Sequence, residues 1–82
     1  MLLPLTDVQT QVLHALMAYI HEKGYPPTVP ELSERLGKKN VGGELLALRK
    51  KGWATKVPGR SIRGTVPTDE AVKELGQMRL SI

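Results

Sequence analysis

Residues 28–52 read TVPELSERLGKKNVGGELLALRKKG, and their punctuation decides the fold. Thr28 followed three positions later by Glu31 is a capping-box pattern, in which each side chain can hold the other's backbone amide. Pro30 sits in the first turn, where its missing N–H donor costs nothing. Leu32 and Leu36 make an i, i+4 apolar pair, and Gly37 can end a helix in the left-handed conformation. The spacing therefore predicts a short helix, then a tight turn through Lys38-Lys39-Asn40. A second helix follows, with Asn40 as its cap and Val41, Leu45 and Leu48 as its buried stripe. Gly52 stops it after the basic run Arg49-Lys50-Lys51.

Toward the amino terminus, Thr6 and Gln9 repeat the capping pattern, and Asp7 suits the positive end of a helix dipole. Val8, Val12, Leu13, Leu16, Met17 and Ile20 recur at helical spacing and cover roughly half of a wheel turning ~100° per residue. Gly24 and Pro26-Pro27 end the segment, which predicts a helix over 7–23. Toward the carboxyl terminus the period changes to alternation. Trp53, Thr55 and Val57 point one way, Ala54 and Lys56 the other. Beyond Pro58-Gly59-Arg60-Ser61, Ile62, Gly64 and Val66 oppose Arg63 and Thr65. A Pro-Gly step between two such runs is a hairpin signal. Thr68, Asp69 and Glu70 then open a fourth helix with a weaker stripe of Val72, Leu75 and Met78 or Arg79. Gly76 inside it costs about 1 kcal/mol of propensity.

The order helix, short helix, turn, helix, hairpin is that of a winged helix-turn-helix, mainly α with a small β-hairpin. The expected architecture is a three-helix core, a two- to three-stranded wing and an extra C-terminal helix. It is expected to form a single domain over 1–82, with 5–66 as its core and 68–79 as the additional helix. In this geometry the second helix of the pair is free to enter a major groove ~12 Å wide, and the wing reaches flanking backbone.

At 82 residues, a chain buries only about 60% of its unfolded surface and has no room for a separate catalytic domain. It has no cysteine, which excludes disulfides, thiolate zinc sites and thiol nucleophiles. Its apolar runs fall far short of the ~20 residues that span a bilayer, and its start lacks a basic leader and a small-residue cleavage site. A cytoplasmic location is expected. The net charge of +4 is segregated: within 38–63, Lys38, Lys39, Arg49, Lys50, Lys51, Lys56, Arg60 and Arg63 face only Glu44, while both flanks are net acidic. The fold and the charge, read separately, aim the same stretch at a polyanion.

Leu5-Thr6, Gly24-Tyr25-Pro26-Pro27-Thr28, Glu31-Leu32, Arg35-Leu36-Gly37 and Leu45 to Leu48 leading into Lys51-Gly52 resemble the amino-terminal DNA-binding domain of LexA repressors. The likeness covers roughly residues 5–66. Gly-x-Pro-Pro-Thr is its more specific part; Arg-Leu-Gly and Leu-x-x-Leu-x-x-x-Gly occur in many winged-helix regulators. The resemblance implies a winged helix-turn-helix that binds operator DNA and represses transcription. The family's self-cleaving domain uses an Ala-Gly scissile bond, and this sequence has no Ala-Gly pair, so self-cleavage is not carried over. The interval from Gly37 to Leu45 is shorter than in the family, and Gly42 and Gly43 stand where it places base-reading side chains. The operator sequence is not carried over either.

The residues expected to meet phosphate are Thr28, through its backbone and hydroxyl, with Lys38, Lys39, Lys56, Arg60 and Arg63. Asn40, Gly42, Gly43, Leu46 and Lys50 are expected to face the groove. Each has a plainer alternative. Asn40 caps a helix as readily as it reads adenine. The glycine pair serves close approach to DNA, fraying until a partner binds, or local packing. Leu46 belongs to a broad core arc, which is the favoured reading, or meets a thymine methyl or a protein. Arg49-Lys50-Lys51 also complements the helix dipole. Trp53 reads as a core or edge anchor. His14 and His21 are separated by ~10.5 Å of helical rise, too far for one metal ion. Ser33, Ser61 and Ser81 lack an activating His/Asp context. No catalytic residue, cofactor or metal is expected, and the chain is not expected to be an enzyme.

The expected partner is double-stranded DNA. Val72, Leu75 and Met78, or Leu2, Leu3 and Leu5, are expected either to join a homodimer or, equally, to cap the monomer core. The alternative function is a winged-helix protein–protein interaction module for a polymerase or replication partner. A non-specific architectural or replication-initiation protein is a third reading.

Overall fold

The computed structural model describes residues 2–59 and 63–80, the side chains of 76–80 aside. In chain order the elements are α1 (Asp7–Lys23), α2 (Val29–Leu36), α3 (Gly42–Lys50), β1 (Ala54–Lys56), β2 (Thr65–Pro67) and α4 (Asp69–Leu80). This is the winged helix-turn-helix that the sequence predicts, with a two-stranded wing.

The helix starts follow their side-chain chemistry. Thr6 Oγ1 accepts from the Gln9 amide at 3.1 Å, and Gln9 Oε1 accepts from the Thr6 amide at 3.1 Å. Thr28 and Glu31 make the same reciprocal pair at 3.2 and 2.9 Å. Each box satisfies two backbone donors that a helix start leaves without partners. Gly37 closes α2 with φ 67°, a left-handed conformation that glycine adopts without a Cβ penalty.

Val12, Leu13 and Leu16 from α1, Leu32 from α2, Val41, Leu45 and Leu48 from the α3 region, and Ala54 from β1 bury one common core. Tyr19 is also buried, an aromatic that the apolar periodicity of α1 did not single out, whereas Val8 is exposed. The two strands pair antiparallel in the register Ala54 with Pro67, Thr55 with Val66 and Lys56 with Thr65. The Val57 amide donating to the Gly64 carbonyl at 2.7 Å extends the ribbon.

The predicted facing of the wing is corrected. Ala54 and Thr65 are the buried residues of the ribbon's strands, and Thr55 and Lys56 are both exposed. Three-residue strands are too short for their own alternation to choose a face. The choice is made at their ends, where the Trp53 amide donates to the Leu48 carbonyl and the Thr68 amide to the Trp53 carbonyl. Thr68 also anchors α4: its hydroxyl donates to the Gly52 carbonyl at 2.8 Å and accepts from the Ala71 amide at 3.1 Å. α4 therefore turns Ala71 and Leu75 inward and leaves Val72 exposed, which corrects the predicted stripe. The Met78 and Arg79 side chains lie outside the described residues.

Trp53 is the edge anchor that the sequence predicts. It packs on the core, and its indole Nε1 donates to the Leu3 carbonyl at 2.6 Å. The Leu3 amide in turn donates to the Lys51 carbonyl at 3.0 Å. Among the described residues no helix is long and apolar enough to cross a membrane.

Candidate nucleic-acid interface

The turn between α2 and α3 is organised by Ser33, which is 3% exposed. Its hydroxyl donates to the Val29 carbonyl at 2.7 Å and accepts from the Val41 amide at 3.0 Å. Its own carbonyl accepts from the Lys38 amide at 2.9 Å. One small polar side chain thereby fixes where α3 begins and leaves Lys38, Lys39 and Asn40 exposed. Sequence reasoning set Ser33 aside for want of a catalytic context. The signal was a serine on the apolar side of α2, beside Leu32 and Leu36.

Asn40 stands one residue earlier than a helix cap. Val41 occupies the N-cap position and makes no side-chain cap bond. The Asn40 Oδ1 instead accepts from the Gly42 amide at 2.7 Å, the i to i+2 reach of an Asx turn. Val41 takes the boundary because Ser33 holds its amide and the core holds its side chain. A Cβ on Gly42 would stand 3.0 Å from that same Oδ1 and 3.8 Å from Val29 Cγ1, which supports local packing for this glycine. A Cβ on Gly43 would meet nothing within 4 Å.

With Val41, Leu45 and Leu48 in the core, the opposite side of α3 carries Gly43, Leu46, Ala47 and Lys50, by the ~100° advance per residue. Leu46 is 43% exposed, so the favoured core-arc reading is corrected. The arc closes on Leu45 and Leu48, one position before Leu46 and two after it. Around this stripe, Lys38, Lys39, Arg49 and Lys50 have no side-chain partner among the described residues. Lys51 does have one, donating to Gln9 Oε1 at 2.7 Å.

Arg63 is not the unengaged cation expected of a wing. Its Nη1 lies 2.7 Å from Glu31 Oε1 and its Nη2 donates to Glu31 Oε2 at 2.8 Å. Nη1 also donates to the Pro26 carbonyl at 3.1 Å, and the guanidinium lies 4.9 Å from the centre of the Tyr25 ring. Tyr25 meets Tyr19 edge-on at 6.0 Å, and Arg35 covers Tyr19 at 5.2 Å while its Nη2 binds Glu22 Oε2 at 2.6 Å. This alternating stack joins α1, α2, their connection and the wing. The hydrogen bond from Arg63, with that from the Thr28 amide, lowers the Glu31 carboxyl to about 2, and Glu31 in turn raises the Arg63 guanidinium. Nothing local pairs residues 31 and 63, so periodicity did not find this clasp.

Thr28 is likewise half committed. Its amide donates to Glu31 Oε1, leaving only the hydroxyl proton for a phosphate, not the backbone. Lys56 is exposed on β1. Arg60 lies outside the described residues. His14 and His21 are exposed on α1, and no described group of three or more His, Asp or Glu side chains is placed to hold a metal ion.

Of the two apolar surfaces expected to join copies, Leu5 and Leu75 pack against the monomer's own core. Leu3 at 46% and Val72 at 48% remain exposed, and a shallow open groove of about 380 Å³ runs between Leu2, Leu3, Pro4, Trp53, Glu70 and Glu74.

The family model for the LexA DNA binding domain matches residues 2–64. The LexA repressor of Anaeromyxobacter sp. (strain Fw109-5) is 40% identical over 75 residues, covering 88% of this chain and 32% of that protein. The LexA repressor of Hahella chejuensis is 42% identical over 72 residues, covering 84% of this chain and 36% of that protein. That of Sorangium cellulosum is 40% identical over 68 residues, covering 79% and 29%. The chain thus spans about a third of the length of the curated relatives it matches. A winged helix-turn-helix in three dimensions and a family match over residues 2–64 give one answer: the chain belongs to the LexA DNA-binding domain family.

Proposed function

We propose that this chain binds duplex DNA sequence-specifically, with α3 in the major groove and the wing on flanking backbone, and represses transcription by occupying its site in the cytoplasm. The observation that carries the reading is the outward side of α3. It is turned away from the core, and cations without a side-chain partner among the described residues lie at both its ends: Lys38 and Lys39 before it, Arg49 and Lys50 within its last turn. An exposed cation with no protein partner is available to a phosphate, and the counterions that it displaces drive binding. Lys56, exposed on β1, and Arg60, which lies outside the described residues, are the further cations of the wing sequence. The Thr28 hydroxyl adds a neutral donor. Arg63 acts through Glu31, holding the wing rather than the duplex.

The unit is the whole of 1–82, in which 68–79 completes a core built by 5–66. It works by binding alone. One such module offers only ~600–1,000 Å² of interface, so two copies on a two-fold site suit it, with Leu3 and Val72 as the apolar groups free to join them. A second reading, a protein-interaction module, is favoured by the exposed Leu46 on the same stripe.

A salt titration of duplex binding separates the two. The expected slope of log K against log salt corresponds to about four to six phosphate contacts. Lys38→Ala, Lys39→Ala and Lys50→Ala each lower it by about one, with the unfolding midpoint unchanged. Absent or salt-insensitive duplex binding supports the interaction module.

A further inference from the structure

We infer that α3 recognises thymine through its C5-methyl group, with Leu46 as the residue that makes the contact. The inference rests on the duplex-binding reading above and names the kind of base that the surface prefers.

The argument begins with what the outward stripe lacks. Base edges in the major groove offer hydrogen-bond donors, hydrogen-bond acceptors and one apolar group, the methyl of thymine. Of Gly43, Leu46, Ala47 and Lys50, only Lys50 carries a hydrogen-bonding group. Asn40, the nearest amide side chain, has its Oδ1 bound to the Gly42 amide at 2.7 Å. A bidentate contact to adenine needs that oxygen as an acceptor, so the turn has already used one arm of it. On this stripe, readout by paired hydrogen bonds is therefore poorly provided for.

What the stripe does provide is apolar. Leu46 is 43% exposed, with Gly43 one turn before it and Ala47 next to it. The surrounding charge, from Lys38, Lys39, Arg49 and Lys50, commits the occupant to a polyanion rather than to an apolar protein surface. Within a polyanionic duplex, the thymine methyl is the only apolar group that the major-groove edge presents to Leu46. Gly43, whose absent side chain leaves open space, removes the bulk that would hold the helix away from the base edge.

The test is a deoxyuridine scan. Duplex enriched from a random pool by the 82-residue chain is resynthesised with each thymine replaced in turn by deoxyuridine, which removes the methyl and keeps the base pair. At the position under Leu46 the wild-type protein is expected to bind about three- to fourfold more weakly, the loss of one methyl-sized contact. In Leu46→Ala the thymine and deoxyuridine duplexes are expected to bind alike there. Leu46 is outside the core, so an unchanged thermal midpoint verifies that the variant is folded. Wild-type binding that is indifferent to deoxyuridine everywhere overturns the inference and leaves duplex binding intact. So does a methyl dependence that survives in Leu46→Ala. Failure to bind any duplex overturns the inference together with the function on which it rests.

Discussion

A Cβ built on Gly42 stands 3.0 Å from Asn40 Oδ1, whereas one built on Gly43 meets nothing within 4 Å. Glycine costs a helix about 1 kcal/mol relative to alanine, so the two positions should respond differently. Gly43→Ala is expected to raise the stability measured by urea unfolding by up to about 1 kcal/mol. Gly42→Ala gains the same propensity but pushes against the carboxamide that holds its own amide, a bond of roughly 1 kcal/mol, and its net effect should lie near zero. Ser33 gives a sharper expectation. Ser33→Ala leaves the Val41 amide without its acceptor beside a buried side chain and should cost about 1–3 kcal/mol in the same measurement. From the letters alone the glycine pair was a single oddity, because what separates its members is a side chain two residues away. Ser33 was unreadable as a turn organiser because its partner lies eight positions on, across the turn at the start of the next helix.

Among the elements, the wing shows how far local pattern reaches. Threonine opens α1, α2 and α4 as read, and the capping boxes of α1 and α2 formed because every partner lies within four residues, whereas Asn40, expected to cap α3, stands one position before the cap. The attachment of the wing was not legible, because Glu31 and Arg63 are brought together only by the closed fold. That clasp has a pH signature. The Glu31 carboxyl is lowered from 4.5 to about 2 by Arg63 and the Thr28 amide, so between those values the unfolded chain binds more protons than the folded one. Its contribution is complete above pH ~4.5 and fades as pH falls toward 2. Glu22, lowered by Arg35, acts with the same sign. Glu31→Gln should therefore flatten the acid limb of the stability–pH curve without abolishing it. Glutamine can still serve the capping box, so the helical circular dichroism should persist.

At the scale of the whole molecule, charge and architecture divide the surface. Lys38, Lys39, Arg49 and Lys50, at the two ends of α3, have no side-chain partner among the described residues, while Arg35 and Arg63 are consumed in the stack that ties α1, α2 and the wing together. Composition alone counted all of these cations equally; only contacts distinguish those that hold the protein from those left for a ligand. The core is small and the chain short, so total stability of about 4–12 kcal/mol is expected, and Leu16→Ala, at about 2–5 kcal/mol, should remove a large part of it in thermal unfolding. The central claim, that duplex DNA lies along α3 and the turn before it, is tested most directly by following backbone amide resonances as duplex is added. Shifts concentrated at residues 38–50 and along the wing are predicted. Shifts confined to Leu2, Leu3, Pro4, Trp53 and the start of α4, with residues 38–50 unmoved, would contradict it.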